Sequence, residues 1–434
     1  MAELQTRHAG DARTPLAWHI ARWGDDSRTV GSWSALAPGG SPADRSALGT
    51  PIDGRFVLAG DATNPVAPSM THGAFDEGVR AARWATDVAG ARRVIVVGAG
   101  FAGLGAARTL LDAGVEVTVL EARDRPGGRA HTVELGDGVL ADAGAAWLQQ
   151  YDTNSLARLA EQWGLATVPT DFHSPLSGAP DGPIDDAAIA AALALLADAC
   201  AHAGDGASFA DVAGPMLAAA SPAARRALQQ AIDLDVDLEN GVAHDRLSAG
   251  FVLREPGVGN GDRWLPGGYG QLVQRLADGL DIRLAHEVRS ISWDATGVEV
   301  DGVQADVCIC AIPVWLVPGL TLSPGLPATH LAAFGRLSPA LVEKVLLRFE
   351  TRWWPADGNG YLRWYDRPAG WGEWLDLTDG VGAPVVAALI AGDAVRRHHH
   401  GRDDATIALD VARALATWAD AVADAVPDAV PDDT

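Results

Sequence analysis

Cysteine is scarce in this chain: Cys200, Cys308 and Cys310 are the only three among 434 residues. So few thiols build no disulfide framework. Cys308 and Cys310 lie in the apolar run from Val307 to Ile312 and read as buried thiols of a strand, which suits a reducing, cytoplasmic setting. Long apolar runs are also missing. No uninterrupted stretch is long enough for a spanning helix, so no membrane is expected, and the opening M-A-E-L-Q-T-R-H-A-G-D has no apolar core of a secretory leader. There is no basic stripe either. With 33 Lys and Arg against 56 Asp and Glu, the formal charge is −23, which argues against a nucleic-acid partner, because phosphates need a basic face. The same acidity is compatible with a cationic substrate. Finally, no Ser-His-Asp, zinc or P-loop constellation is legible, so a cofactor must carry any reaction.

What is present centres on Arg93 to Thr132. Val94 to Val97 form a β-branched run of the kind buried on both faces of a parallel sheet. Gly98, Gly100 and Gly103 follow at once, and Leu104, Ala107, Leu110 and Leu111 then recur at helical spacing up to Gly114. Val115 to Leu120 is a second strand, ending at Glu121. Gly98 makes the tight turn, Gly100 lets backbone approach a pyrophosphate, and Gly103 lets helix and strand pack closely. The diphosphate would sit on the helix N-terminus, and Glu121 would accept from ribose hydroxyls.

The continuation E-A-R-D-R-P-G-G-R-A-H-T, holding Glu121, Ala122, Arg123, Gly128 and Arg129, resembles the second fingerprint of the flavin-containing amine oxidases (monoamine, polyamine and L-amino-acid oxidases). That resemblance implies FAD as cofactor. It also implies an α/β fold: a FAD-binding, Rossmann-like domain of glutathione-reductase type, plus a mixed α+β substrate domain with a helical insertion. Arginine in such a turn would neutralise phosphate with a planar donor fork.

Other stretches extend the resemblance. G-R-F-V-L-A-G-D-A-T followed by S-M-T-H-G-A, with Gly60, Asp61, Met70, Thr71 and Ala74, resembles the family's closing motif, where a helix N-terminus meets the pyrimidine end of the flavin. Trp23, Asp25 and Asp26, with Gly31 to Ser34, resemble the segment beside the flavin ring. Both normally stand late in the chain and here precede the dinucleotide fingerprint, so the sequence looks circularly permuted. Asp142 to Trp147 resembles a loop whose backbone, at Ala145, Ala146 and Trp147, passes the flavin. H-E-V-R-S-I places Val288 at the adenine end. Ser32 stands where some members attach flavin to cysteine, which implies non-covalent FAD.

The expected organisation follows. Residues 51–150 and 261–318 form the FAD-binding domain, 151–260 the helical insertion, and 1–50 with 319–434 the substrate region. Strand 55–59, helix 72–86 and strand 93–97 form a βαβ unit of ordinary loop length, which would join two adjacent parallel strands directly. Permutation should also bring Met1 and Thr434 to the same side. A homodimer in which residues 1–90 complete a neighbour's site is the rival arrangement. The acidic stretch Asp233 to Asn240 reads as a solvated loop. The aromatics from Trp353 to Trp374 read chiefly as core, with some lining a cavity. His398, His399 and His400 read as loop residues that diverge, so no metal site is expected.

Lys344 stands inside the apolar run A-L-V-E-K-V-L-L-R-F, where a lysine is costly unless desolvated for a purpose or paired. Its setting resembles the family lysine that holds a water against flavin N5; the plain alternative is a pair with Glu343 at a strand edge. The resemblance implies oxidation of an amine C–N bond to an imine by hydride transfer to N5, with dioxygen reoxidising the flavin to give hydrogen peroxide. Trp33 and Met70 fall where the family holds the substrate nitrogen between two aromatics. With Met70 in place of one of them, a bulkier or secondary amine, or an amino acid, is favoured over a small primary amine, with amines ranked first. An L-amino-acid oxidase, a flavin-dependent desaturase and a catalytically degenerate FAD scaffold remain open.

Overall fold

The computed structural model describes residues 12–172, 174–180, 184–253, 260–356, 360–365 and 370–425. Met1 and Thr434 lie outside them, but the two described ends meet, with Arg13 Nη2 2.6 Å from Asp420 Oδ1.

The β-branched run forms the strand Arg93–Val97, followed by the helix Phe101–Asp112 and the strand Glu116–Leu120. Together with Phe56–Leu58, Val307–Cys310 and Asp281–Arg283 they make a five-stranded parallel sheet. Val307–Cys310 is buried throughout, as its apolar sequence requires, and burial pushes the Cys310 thiol up to about 12. One expectation fails here. Phe56–Leu58 and Arg93–Val97 are parallel but not neighbours, because Val307–Cys310 lies between them, pairing Cys308 with both Phe56 and Ile95.

Helix spacing explains the gap. The crossover helix Thr71–Asp87 packs along Phe101–Asp112 on the same face of the sheet. Packed helices stand about 8–10 Å apart, whereas strands are about 4.8 Å apart. Two helices side by side therefore span two strand places. The helices touch through Gly78, where an added Cβ would fall 1.9 Å from the Ala102 carbonyl oxygen. Residues before 90 thus dock on their own chain's fingerprint helix.

A second, six-stranded sheet runs in the order Ala17–Ile20, Val342–Arg348, Val385–Ala391, Glu373–Asp376, Tyr361–Trp364, Leu176–Gly178. Alternation along Val342–Arg348 divides its two faces. Val345 and Leu347 pack with Trp354, Trp371, Trp374 and Trp418 under the C-terminal helix Asp404–Ala425. Leu346 faces the other way, toward Ala143 and Trp147. Most of the aromatic cluster is therefore core, as its composition suggests.

The alanine-rich part folds into the helices Asp186–Ala201, Phe209–Ala219 and Pro222–Ile232. The acidic stretch expected as a solvated loop instead continues the last of these, as a π-helical turn Asp233–Asp237 and a short helix Leu238–Asn240. Ile232 and Val236, four residues apart and both buried, give it a helical apolar stripe that the acidic neighbours mask in the sequence.

Candidate active site

A cavity of about 1790 Å³ runs between the parallel sheet, the six-stranded sheet and the helices. It exceeds the roughly 300–1,000 Å³ of an ordinary small-ligand pocket, so it has room for a dinucleotide and a substrate together. Trp23, Trp33, Gly60, Asp61, Met70, Thr71, Ala74, Gly98, Gly100, Glu121, Ala122, Arg123, Gly128, Arg129, Ala145, Ala146, Trp147, Val288 and Lys344 all line it. Of the site residues expected from sequence, only Gly103 stands behind the wall. That agrees with its role in packing, since a Cβ there would meet the Gly98 carbonyl oxygen at 1.8 Å.

The dinucleotide end is built from backbone. Gly98 turns at φ +99°, in the region that favours glycine, and aims the chain into the helix Phe101–Asp112. Gly100 has no heavy atom within 4 Å of a notional Cβ, so its backbone fronts open cavity, where a diphosphate can lie on the helix N-terminus. Glu121 accepts from the Ala99 N–H at 2.7 Å and the Arg123 N–H at 2.8 Å, which fixes its carboxylate beside the glycine turn. The segment carrying Val288 is tied to this corner, since His286 N donates to Glu121 O at 2.8 Å and Ala285 N to Arg123 O at 2.7 Å. These features fit the adenosine half of FAD.

The arginines differ from expectation. Arg129 donates to Asp61 and to the Ser32 carbonyl at 2.8 Å, Arg123 pairs with Asp26 at 2.8 Å, and Arg125 donates to the carbonyls of Pro126, Gly128 and Ala130. The forks of Arg129 and Arg123 therefore bind the early segment to the fingerprint, and that of Arg125 braces the fingerprint turn itself. Sequence reasoning missed Arg45, which is buried and donates to Ser34 Oγ at 2.7 Å and toward the carbonyls of Asp61 and Ala62. Burial lowers it to about 10. Burial also pushes the Asp61 carboxyl upward, but Arg129, the Ser34 N–H and Arg45 outweigh it and hold that carboxyl below its ordinary value.

The other end is built from side chains. Lys344 extends from the second strand of its sheet and is buried. Its Nζ donates to Asp142 O at 3.0 Å and Gly144 O at 2.6 Å, and stands 4.8 Å from the Trp147 ring centre. Burial lowers the amine to about 8, with Asp142 working against the shift. Glu343 points to the opposite face, accepting from Trp23 N at 2.8 Å and Gly24 N at 2.7 Å. The plain alternative, a Lys344–Glu343 pair at a strand edge, is thereby removed. Lys344 is also the only lysine in the chain, a compositional signal that the sequence reading did not use.

Asp142 and Tyr269 support this end, and sequence reasoning gave neither a role in it. The Asp142 carboxylate accepts from Tyr269 N at 3.0 Å and from Thr132 Oγ1, and burial raises it to about 6. Tyr269 donates from its hydroxyl to Trp147 O at 2.6 Å and meets Thr71 Oγ1 at 3.2 Å, locking the Trp147 loop to the helix that starts at Thr71. Met70 caps that helix, and Ser69 beside it donates to Ser34 O. Trp33 and Met70 reach the same cavity as Tyr361 and Tyr365, and Asp186, Asp235 and Glu239 give its lining an acidic character, while Glu373 there is paired with Arg363. The three consecutive histidines were expected to diverge. Instead, His399 and His400 both approach Asp25.

Comparison with known proteins bears on this arrangement. The family model for flavin containing amine oxidoreductase matches residues 1–85, 101–189 and 217–432. Among curated proteins, the chain is 32% identical to lysine-specific histone demethylase 1 homolog 3 of Oryza sativa subsp. indica over 69% of this chain, yet it spans only 41% of that protein. It is 31% identical to polyamine oxidase 4 of Oryza sativa subsp. japonica, over 69% of this chain and 67% of that one. Among solved structures, wild-type putrescine oxidase bound to putrescine superposes with a TM-score of 0.58 at 25% identity, covering 75% of this chain and 81% of that one. Cyclohexylamine oxidase from Brevibacterium oxydans IH-35A shares the fold, with a TM-score of 0.58 at 20% identity over 77% of this chain and 82% of that one.

Proposed function

The chain belongs to the flavin containing amine oxidoreductase family and its cofactor is FAD; on that premise we propose that it oxidises the C–N bond of a cationic amine to an imine. Two electrons and two protons leave the substrate and reduce dioxygen to hydrogen peroxide, and water then hydrolyses the imine. Bound FAD would supply the two-electron relay between amine and dioxygen. The observation that carries this reading is Lys344. A chain that uses arginine at every other basic position keeps its one lysine on a buried strand, facing the cavity. Arginine stays charged there, whereas a desolvated amine can take and give a proton near neutral pH. Two of its N–H groups are spent on the Asp142 and Gly144 carbonyls, which fixes Nζ and leaves its third position for a water in the cavity.

The acidic wall favours a cationic substrate. Trp33 offers a ring face to a cation and Met70 an adaptable apolar contact, which suits a bulkier or secondary amine. Arg363 is engaged by Glu373 and the Asp233 carbonyl, so it is not free to grip a carboxylate, and amines rank above amino acids. We read the flavin as non-covalent: Cys200 and Cys308 do not line the cavity, burial keeps the Cys310 thiol in its wall protonated, and Ser32 donates to the Val342 carbonyl and accepts from the Val342 N–H at 2.9 Å. Residues 1–90 read as the family's closing part carried to the front. Direct entry of the helix Thr71–Asp87 into the strand Arg93–Val97 supports that reading, as does the Arg13–Asp420 pair.

A peroxide-release screen of primary, secondary and polyamines and L-amino acids tests the proposal. Turnover of amines is expected, with Trp33→Ala changing the order of preference by roughly tenfold or more, the scale of a lost pocket contact. No peroxide from any amine, with FAD bound, would remove the oxidase reading. An unchanged order would return Trp33 to packing.

A further inference from the structure

Away from the cavity, three side chains that the oxidation does not use come together. The helix Gly392–His398 ends in a turn where the His399 and His400 N–H groups both donate to the Val395 carbonyl, at 2.9 and 3.0 Å. That turn brings both imidazoles against the segment Trp23 to Asp25. One ligand atom each from Asp25, His399 and His400 lies within 4.8 Å of the others, and His400 Nε2 is 3.4 Å from Asp25 Oδ1.

His399 is 0% exposed, and neither of its ring nitrogens has a hydrogen-bond partner; His400 Nε2 is also buried without one. Burying an imidazole with both nitrogens unsatisfied is costly. A borderline divalent cation would satisfy the set, because imidazole and carboxylate are its preferred donors. The spacing suits one as well. Tetrahedral zinc with bonds of about 2.1 Å sets its donor atoms about 3.4 Å apart, which the Asp25–His400 pair already shows. Asp25 is exposed and can rotate to close the remainder.

We propose that Asp25, His399 and His400 form a site for a zinc-class divalent metal that clamps the 399–400 turn to the Trp23 segment, with water completing the coordination. Arg22 approaches the other oxygen of the Asp25 carboxylate. It lies 3.6 Å from Asp25 Oδ2, whereas His400 approaches Oδ1, and is held by Asp404 at 2.5 Å. The neutral imidazole is the form that ligates a metal. The inference is independent of the oxidase reading. Trp23 lines the cavity while its neighbour Asp25 holds the metal, so the clamp would steady the wall from behind.

The test uses tag-free holoprotein, dialysed against EDTA and then equilibrated with zinc chloride, with zinc counted by elemental analysis and the melting temperature followed in parallel. One zinc per chain and a raised melting temperature are expected, with binding at least about tenfold weaker in both Asp25→Asn and His400→Gln. Flavin absorbance reports that each variant is folded. His399→Asn is left aside, because a fully buried ring there also packs the core. No stoichiometric uptake by the wild type overturns the proposal, as does equal uptake by the Asp25→Asn, His400→Gln double variant.

Discussion

The two ends of the cavity are made by different means. At the dinucleotide end the walls are consecutive backbone groups, and Gly98, Gly100, Gly103 and Glu121 sit within one strand-turn-helix-strand unit. At the amine end, side chains arrive from Trp33, Met70, Trp147, Tyr361 and Lys344, which are separated by long stretches of chain and come from the six-stranded sheet, the short strand Trp147–Leu148 and connecting segments. The first kind of site is specified by local spacing. The second exists only once the core has formed, and its chemistry depends on burial.

The largest expected effect lies at the backbone end. Gly103→Val would drive a side chain into the Gly98 carbonyl, which a Cβ alone would meet at 1.8 Å. Overpacking costs about 1–3 kcal/mol or more, and here it falls on the turn that holds the diphosphate. Purified protein should be colourless; flavin retained at full occupancy would break the contrast between the two ends. Lys344→Met should do the reverse, keeping the flavin while slowing its reduction or reoxidation by roughly 10²–10⁴-fold. Stopped-flow traces of both half-reactions that match wild type would return Lys344 to a structural role. The singular lysine sharpens this test. Labelled lysine should give one side-chain NMR signal in the wild type, titrating near pH 8 rather than at the ordinary value of 10.5, and none in Lys344→Met.

The smallest effect concerns Glu343, on the opposite face of the same strand. Burial raises its carboxyl to about 7 from an ordinary value of 4.5, with the Gly24 and Trp23 N–H groups opposing. Its folded pKa lies above the unfolded one, so the folded state keeps a proton that the unfolded state loses. Its contribution is therefore fully present below about pH 4.5 and is lost as pH rises through 7. Glu343→Gln does not titrate, so the difference in melting temperature between wild type and variant should change across that window and level off above it. A constant difference across the window would mean that Glu343 is ionised throughout.

The sequence by itself determined the parallel-sheet unit around Arg93, its dinucleotide-binding turn, the buried thiols of Val307–Cys310 and the oddity of a lysine in an apolar strand. Each rests on neighbours in the chain: β-branched runs, glycine spacing, or one polar residue among apolar ones. Tertiary structure decided the rest. It placed Val307–Cys310 between two strands that a single helix connects, because helix spacing is about twice strand spacing. It turned the arginine forks to Asp61, Asp26 and backbone carbonyls, and made a cavity wall of the acidic stretch after Ile232. It also brought Asp25 to the two histidines near the other end of the chain. None of these follows from local spacing, because each depends on which distant surfaces share one core, and only packing settles that.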